Sequence, residues 1–252
     1  MKLYLVRHGQ STGNVSGTLM GQSDHLLTAL GEAQAAAAAA RLAPFGPMPL
    51  HCSDLPRAVA TAGYIARAWG SGDAGLAAPA AAPLLPDARL REIDLGDYEG
   101  RSWEEFEADE ALKAAFAEDP YGTVVPGGES LEHIETRVMA AVGDLLAAHG
   151  LRDDGGLTTE SVATADASAS ATGFHLSEPG DAACIVSHDG PIRAILNHYL
   201  GVPPEKWWTL STTHGGVSLL EFSGGWVNVR FVNATSHLAG LAEAAHAPSG
   251  AD

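Results

Sequence analysis

The chain has 252 residues, with 14 Lys and Arg against 31 Asp and Glu, and a formal net charge of −17 with histidine neutral. No basic cluster offsets that charge, which excludes nucleic-acid phosphates and an anionic membrane surface as expected partners. The length allows one large α/β domain or two small ones, with a sizeable core, and no run approaches the ~20 apolar residues that a bilayer span needs. The apolar stretch within Met1–Arg7 is too short for a signal peptide, so a soluble, cytoplasmic protein is expected. Cys52 and Cys184 stand far apart in apolar stretches and form no C-x-x-C pair, which reads as two reduced core thiols.

Leu3 to Val6 is a short apolar run with an aromatic and a branched residue, ended by Arg7-His8-Gly9, and is expected to be a buried strand. Thr28 is a plausible N-cap for an alanine-rich helix through Leu42, with Pro44 and Gly46 as stop signals. Leu50-His51-Cys52 repeats the strand pattern, and Pro56 opens a second helix to about Trp69. Residues 70–83, rich in Gly, Ala and Pro, read as loop. Beyond Leu90–Ile93, residues 101–126 read as short helices with an irregular end at Pro126-Gly127-Gly128. The next helix is long, aligns Ile134, Val138, Val142 and Leu145 on one face and stops at Gly150.

Residues 152–181, dominated by Ser, Thr, Ala, Gly and Asp, separate this helix from the next strand and read as a disordered insertion. The strand Ala182–Val186 then runs into Ser187-His188-Asp189-Gly190 and a helix from Pro191 to Leu200. Two closing strands, about 217–222 and 226–232, join through Gly224-Gly225 as a hairpin, and residues 240–252 read as a flexible tail. Strands alternating with helices imply a three-layer α/β/α fold, with a mainly parallel sheet and antiparallel pairing from the hairpin at one edge.

Two of the strand-to-helix turns share a shape, apolar strand followed by Arg7-His8-Gly9 and apolar strand followed by Ser187-His188-Asp189-Gly190. Strand carboxyl ends of a doubly wound sheet open onto one crevice, so the two histidines can converge on one ligand. Glycine after each histidine would let backbone N–H groups approach an anion. Ser53-Asp54-Leu55-Pro56-Arg57 puts Arg57 in the first turn of a helix at the same level. Two histidines, two arginines and helix N-termini make an anion site.

Six ordered motifs resemble the histidine phosphatase superfamily, in its phosphoglycerate mutase-like branch. They are Leu5 to Asn14, Leu27-Thr28 with Gly31 and Gln34-Ala35, Ser53 to Ala58 with Thr61-Ala62, Leu90 to Ile93 with Gly96 and Tyr98-Glu99-Gly100, Pro126 to Ser130, and Ser187 to Arg193. Asn233 to Leu238 also looks like the end of that branch. The resemblance implies phosphoryl transfer through His8 as nucleophile, with Arg7 and Arg57 activating it and clamping the phosphoryl oxygens. Adjacent guanidinium charges disfavour an imidazolium and so lower the nucleophile's pKa. Asn14 matches a phosphate-binding position, and His188 with the Asp189-Gly190 turn after it supplies further phosphate-binding candidates. His188 matches the second histidine, which if protonated would donate to an equatorial oxygen.

An alkoxide leaving group needs a general acid, and Glu92 matches that position of the family, with Asp94, Asp97 and Glu99 close by. Asp189 stands where the branch more often has Gly, and the superfamily's acid phosphatases use a His-Asp pair with Asp as donor, so Asp189 remains an alternative. The implied reaction needs no metal or cofactor, and the sequence has no H-E-x-x-H motif. Between residues 101 and 126 only Arg101 and Lys113 are basic, which is poor for a mutase that must hold a second anionic group. The expectation is a phosphatase acting on a small phosphorylated metabolite. A cofactor-dependent mutase and a non-catalytic phospho-ligand binder are the alternatives. Gln10, His25, Trp103 and Tyr121, with Phe106, Trp207, Trp208 and His214, are candidates for the substrate cleft, and homo-oligomerisation is left open.

Overall fold

The computed structural model of the chain describes residues 1–70, 83–151, 181–223 and 225–241. The expected insertion at 152–181 and tail at 240–252 fall almost wholly outside these residues, as does most of the 70–83 loop. Strand β1, Lys2–Arg7, lies inside the sheet, and its alternate residues serve two different cores. Leu3 and Leu5 face one way and Tyr4 and Val6 the other, the two-residue period of a strand covered on both sides.

The remaining strands are β2 (Leu50–Cys52), β3 (Leu84–Pro86), β4 (Ala182–Ser187), β5 (Val217–Ser223) and β6 (Trp226–Ala234). They form one six-stranded sheet in the order β3-β2-β4-β1-β5-β6. Pairings β3 with β2, β2 with β4 and β4 with β1 are parallel, whereas β1 with β5 and β5 with β6 are antiparallel. The expected mainly parallel sheet with antiparallel pairing at one edge is what forms.

The helices are α1 (Thr12–Ser16), α2 (Ala29–Leu42), α3 (Pro56–Gly70), α4 (Trp103–Glu107), α5 (Glu110–Glu118), α6 (Leu131–Ala148) and α7 (Asp189–Leu200). Thr28 caps α2 by accepting from the Gly31 N–H at 3.0 Å, as the sequence indicates. The small Ala38, Ala58 and Ala62 let α2 and α3 press close over Val6, Leu50, Cys52 and Val186. On the other face Ile134, Val138 and Val142 of α6 meet Ile192 and Ile195 of α7 over Leu5 and Ile185. Both cysteines are free and fully buried, and burial pushes the Cys52 thiol up to about 11.

Two elements escape the sequence reading. Helix α1 has only five residues, and β3 has three, too short for either periodicity to show. Helix α7 also begins two residues earlier than expected, so that His188 is its N-cap and Asp189 lies in its first turn. No helix among the described residues is long and apolar enough to cross a membrane.

Candidate active site

Strands β1 and β4 are parallel neighbours in register, with Arg7 opposite Ser187, so the next residues, His8 and His188, leave the sheet side by side. Their rings lie 4.9 Å apart between centroids at 62°, and the ring of His214 lies 5.6 Å from His8. His8 is 2% exposed and His188 is fully buried. The His8 turn is fixed by backbone crowding. A Cβ on Gly9 would stand 2.2 Å from the Gly31 carbonyl oxygen, and one on Gly31 would stand 1.9 Å from the carbonyl oxygen of Gln10.

His8 Nδ1 bonds the carbonyl of Gly9 at 2.7 Å. A carbonyl only accepts, so Nδ1 carries the proton and the neutral ring keeps its lone pair on Nε2. Burial drives the His8 pKa well below 6.5, and His188, Arg57 and Arg7 push it the same way. The imidazole is therefore neutral at neutral pH, which a nitrogen nucleophile requires.

Arg57 comes from the first turn of α3 and is fully buried. Its Nη1 and Nη2 donate to the carbonyls of Ser23 and Gly21, at 2.9 and 2.8 Å, and its Nε donates to His188 Nδ1 at 3.2 Å. Arginine has no acceptor, so His188 Nδ1 is unprotonated and Nε2–H donates to Ser53 Oγ at 2.8 Å. Burial, then Arg57 and Arg7, hold His188 well below 6.5. The protonated form considered for His188 from the sequence is therefore disfavoured, and the ring is a neutral donor.

Arg7 donates through Nη1 to the carbonyl of Thr212 at 2.5 Å and stands 3.6 Å from Asp189 Oδ1. Its Nε is buried without a hydrogen-bond partner among the described residues, a donor left for an anion. Asn14 accepts from both the N–H and the hydroxyl of Ser11 through Oδ1, at 2.8 Å each, which turns its amide NH₂ outward from that pair. The glycine N–H groups behave differently from the sequence reading. Gly9 N–H donates to Thr61 Oγ1 at 3.1 Å and Gly190 N–H to the Glu92 carboxylate at 3.2 Å, so neither is kept for phosphate.

The two candidate acids sit in opposite environments. Glu92 packs so closely on α7 that a Cβ on Gly190 would lie 2.4 Å from its Oε1. Burial raises its pKa above the usual 4.5, and the Asp189 charge adds to that. Burial would raise Asp189 as well, but Arg7, Arg193 and the Thr212 hydroxyl outweigh it and hold the carboxyl below 3.8. Arg193 Nε donates to Asp189 Oδ2 at 2.7 Å and Thr212 Oγ1 to Oδ1 at 2.6 Å, so both carboxylate oxygens are engaged.

The other candidates are more scattered. Gln10 accepts from the Thr28 hydroxyl at 2.9 Å and serves the α2 cap. His25 sits between Thr12 Oγ1 and Ser23 Oγ, beside the segment whose carbonyls hold Arg57. Trp103, half exposed, stands edge-on to Phe106, and Tyr121 donates to Glu135 and lies near the buried Trp207. Trp208 is 67% exposed and covers the Arg193 guanidinium at 5.1 Å. Ser53, Thr61 and Thr212 carry site contacts without having been assigned roles from sequence. Thr61 was within reach, since it lies four residues after Arg57 on α3 and donates back to the Arg57 carbonyl at 2.8 Å.

A mainly parallel sheet that sets two neutral histidines just past the ends of adjacent strands, with Arg7 from β1 and Arg57 from α3 beside them, defines an α/β protein with an anion site. The chain belongs to the histidine phosphatase superfamily, branch 1, whose family profile matches residues 3–159 and 164–235. Among curated relatives, "Probable phosphoglycerate mutase GpmB" of Enterobacter sp. (strain 638) is 35% identical over 147 residues. That match spans 58% of this chain and 63% of the relative. Among solved structures, mycobacterial glucosyl-3-phosphoglycerate phosphatase in its native form superposes with a TM-score of 0.69 at 27% identity, covering 92% of this chain and 98% of that one. The same enzyme has been solved with VO3 and with inorganic phosphate. The alpha-ribazole phosphatase of Shigella flexneri, at 23% identity and a TM-score of 0.69 over 93% and 96% of the two chains, shares the fold.

Proposed function

We propose that the protein is a phosphatase that hydrolyses a small phosphomonoester through a phosphohistidine at His8, with Glu92 as general acid and base. The observation that carries this reading is the His8 ring, neutral, with Nδ1 tied to the Gly9 carbonyl and two guanidiniums and a second histidine beside it. In the first step His8 Nε2 attacks phosphorus, the P–O bond to the leaving group breaks, and the Glu92 proton passes to the departing alkoxide. In the second step water attacks phosphorus, the N–P bond breaks, and the water proton goes to the Glu92 carboxylate. Inorganic phosphate leaves and the starting protonation state returns. Nδ1 keeps its proton on Gly9 throughout, which stabilises the ring as it is phosphorylated. Arg7 and Arg57 offset the charge spread over the phosphoryl oxygens.

Hydrolysis is favoured over a mutase reaction because the two cations of residues 101–126, where a second anionic group would be held, are both engaged elsewhere. Lys113 pairs with Glu110 at 3.1 Å, and Arg101 lies over the Tyr98 ring at 5.1 Å. The phosphatase names of the structural neighbours agree with this reading, although the curated relatives carry a mutase name. The test is turnover of p-nitrophenyl phosphate and a panel of metabolite phosphates without added metal, with acid quenching to trap the phosphoenzyme. Phosphate release and an acid-labile phosphoprotein, both lost in His8→Ala, are expected. Activity only with a bisphosphoglycerate and without phosphate release would establish the mutase instead, and binding without turnover would establish a phospho-ligand binder.

A further inference from the structure

Glu92 lies in no regular element. It sits between the turn Ala88–Leu90 and the turn Gly96–Tyr98, where no ladder holds the backbone. An acid that must meet a leaving group to within a fraction of an ångström needs that backbone fixed by something else. Arg137, from the second turn of α6, supplies it. Its Nη1 donates to the carbonyls of Arg89 and Arg91 at 2.7 Å each, and its Nη2 donates to the carbonyl of Glu92 at 2.9 Å.

The rest of the guanidinium is fixed by Glu129. Arg137 Nε donates to Glu129 Oε1 and Nη2 to Oε2, both at 2.8 Å. All five N–H donors of the side chain are thereby used. Glu129 Oε2 also accepts from the N–H of Asp94 at 3.0 Å, and the Glu129 N–H donates to the Asp94 carbonyl at 2.8 Å. The Pro126-Gly127-Gly128-Glu129 turn can come this close because Gly128 has no side chain, since a Cβ there would lie 2.3 Å from the Asp94 carbonyl oxygen. Gln22 completes the cage by donating to the Glu92 carbonyl at 3.1 Å.

We propose that Arg137, fixed by Glu129, is a positioning residue that sets where the Glu92 carboxyl delivers its proton. This rests on the reading of Glu92 as general acid. A lysine keeps the charge of Arg137 but has no planar fork to gather three carbonyls and two carboxylate oxygens.

The test compares kcat/KM, which reports phosphoryl transfer to His8, for an alkyl phosphate such as glycerol phosphate and for p-nitrophenyl phosphate. The alkoxide needs a proton and the nitrophenolate does not. Glu92→Gln is expected to lose about 10²-fold or more on the alkyl phosphate and far less on the nitrophenyl ester. Arg137→Lys should show the same asymmetry, losing about 10²-fold against less than about fivefold, and should add little in a Glu92→Gln background. Glu129→Gln, which keeps shape and removes charge, gives a second route to the same asymmetry if Arg137→Lys folds poorly. Equal losses on both substrates in the Arg137 and Glu129 variants, or none, overturn the positioning role. A symmetric loss in Glu92→Gln itself overturns the reading of Glu92, and that outcome is read separately from the Arg137 result.

Discussion

Gly9→Ala tests most directly whether backbone contact places the His8 ring, the proposed nucleophile. The added methyl would stand 2.2 Å from the Gly31 oxygen, 2.8 Å from its carbonyl carbon and 3.0 Å from its Cα, all of them backbone. Ordinary contact begins near 3.4 Å, so the His8 turn and the start of α2 must part by about 1.2 Å. No flexible side chain can absorb this, and overpacking of this kind costs about 1–3 kcal/mol. A 1 Å displacement of a reacting group lowers the rate about 10²-fold. The expected result is therefore a folded protein whose melting temperature falls by roughly 3–10 °C, with kcat/KM down at least about 10²-fold. Gly143→Ala is the internal control, because a Cβ there meets nothing within 4 Å and the site lies inside α6. It should stabilise by about 0.5–1 kcal/mol and leave turnover unchanged. Thermal melts and phosphate-release assays on the two variants give the comparison. A Gly9→Ala protein within threefold of the parent in kcat/KM would refute the claim that Gly31 holds the His8 turn in place.

The acid assignment gives a pH prediction. Because Glu92 is raised above 4.5 and His8 lowered well below 6.5, kcat/KM should fall on the alkaline side with loss of the Glu92 proton. That limb should disappear in Glu92→Gln and persist in Asp189→Asn, and the reverse pattern in pH–rate profiles would make Asp189 the donor. Asp189→Asn should instead weaken substrate binding, since it removes the carboxylate that orders Arg7, Arg193 and Thr212, and a KM unchanged by the substitution counts against that role. Stability should also depend on pH. His8 and His188 are neutral when folded, so the unfolded chain binds more protons and stability drops as pH falls below about 6.5, while it is insensitive to these two groups above that. Between pH 6.5 and 5.5 the pair should cost about 2 kcal/mol, measured in a Glu92→Gln background because Glu92 titrates with the opposite sign. A flat unfolding free energy over that interval contradicts the buried neutral pair.

The architecture was legible wherever a long pattern repeats, and the site wherever a motif ends a strand. Thr28 and Pro56 mark where α2 and α3 begin, and the two Arg-His-Gly-like and Ser-His-Asp-Gly turns mark the carboxyl ends of β1 and β4. Their convergence could be inferred because parallel neighbours carry the residues just past their carboxyl ends to the same place. The features that stayed hidden depend on distance along the chain. Gly9 reads as a close approach to an anion, yet its N–H goes to Thr61, 52 positions on, and its missing Cβ makes room for Gly31. The contrast between the Glu92 and Asp189 environments comes from the positions of Arg7, Arg193 and Thr212, none of which a spacing reveals. Arg137 sits in a helical pattern where an arginine looks like a solvated charge, and only the fold shows it facing the Glu92 carbonyl.

The two thiols offer a practical consequence. Cys52 on β2 and Cys184 on β4 are the only cysteines of the chain, both inside the parallel part of the sheet and both with burial holding them protonated. Both thiols pack in the core beneath α2 and α3, so a thiol-reactive dye can label them only when that layer lifts from the sheet. The labelling rate in native buffer, with the uptake of one or two dyes read by mass, thus becomes an intrinsic clock for the uncovering of β2 and of β4, the strand that leads into His188. It needs no engineered probe and can be run with and without phosphate.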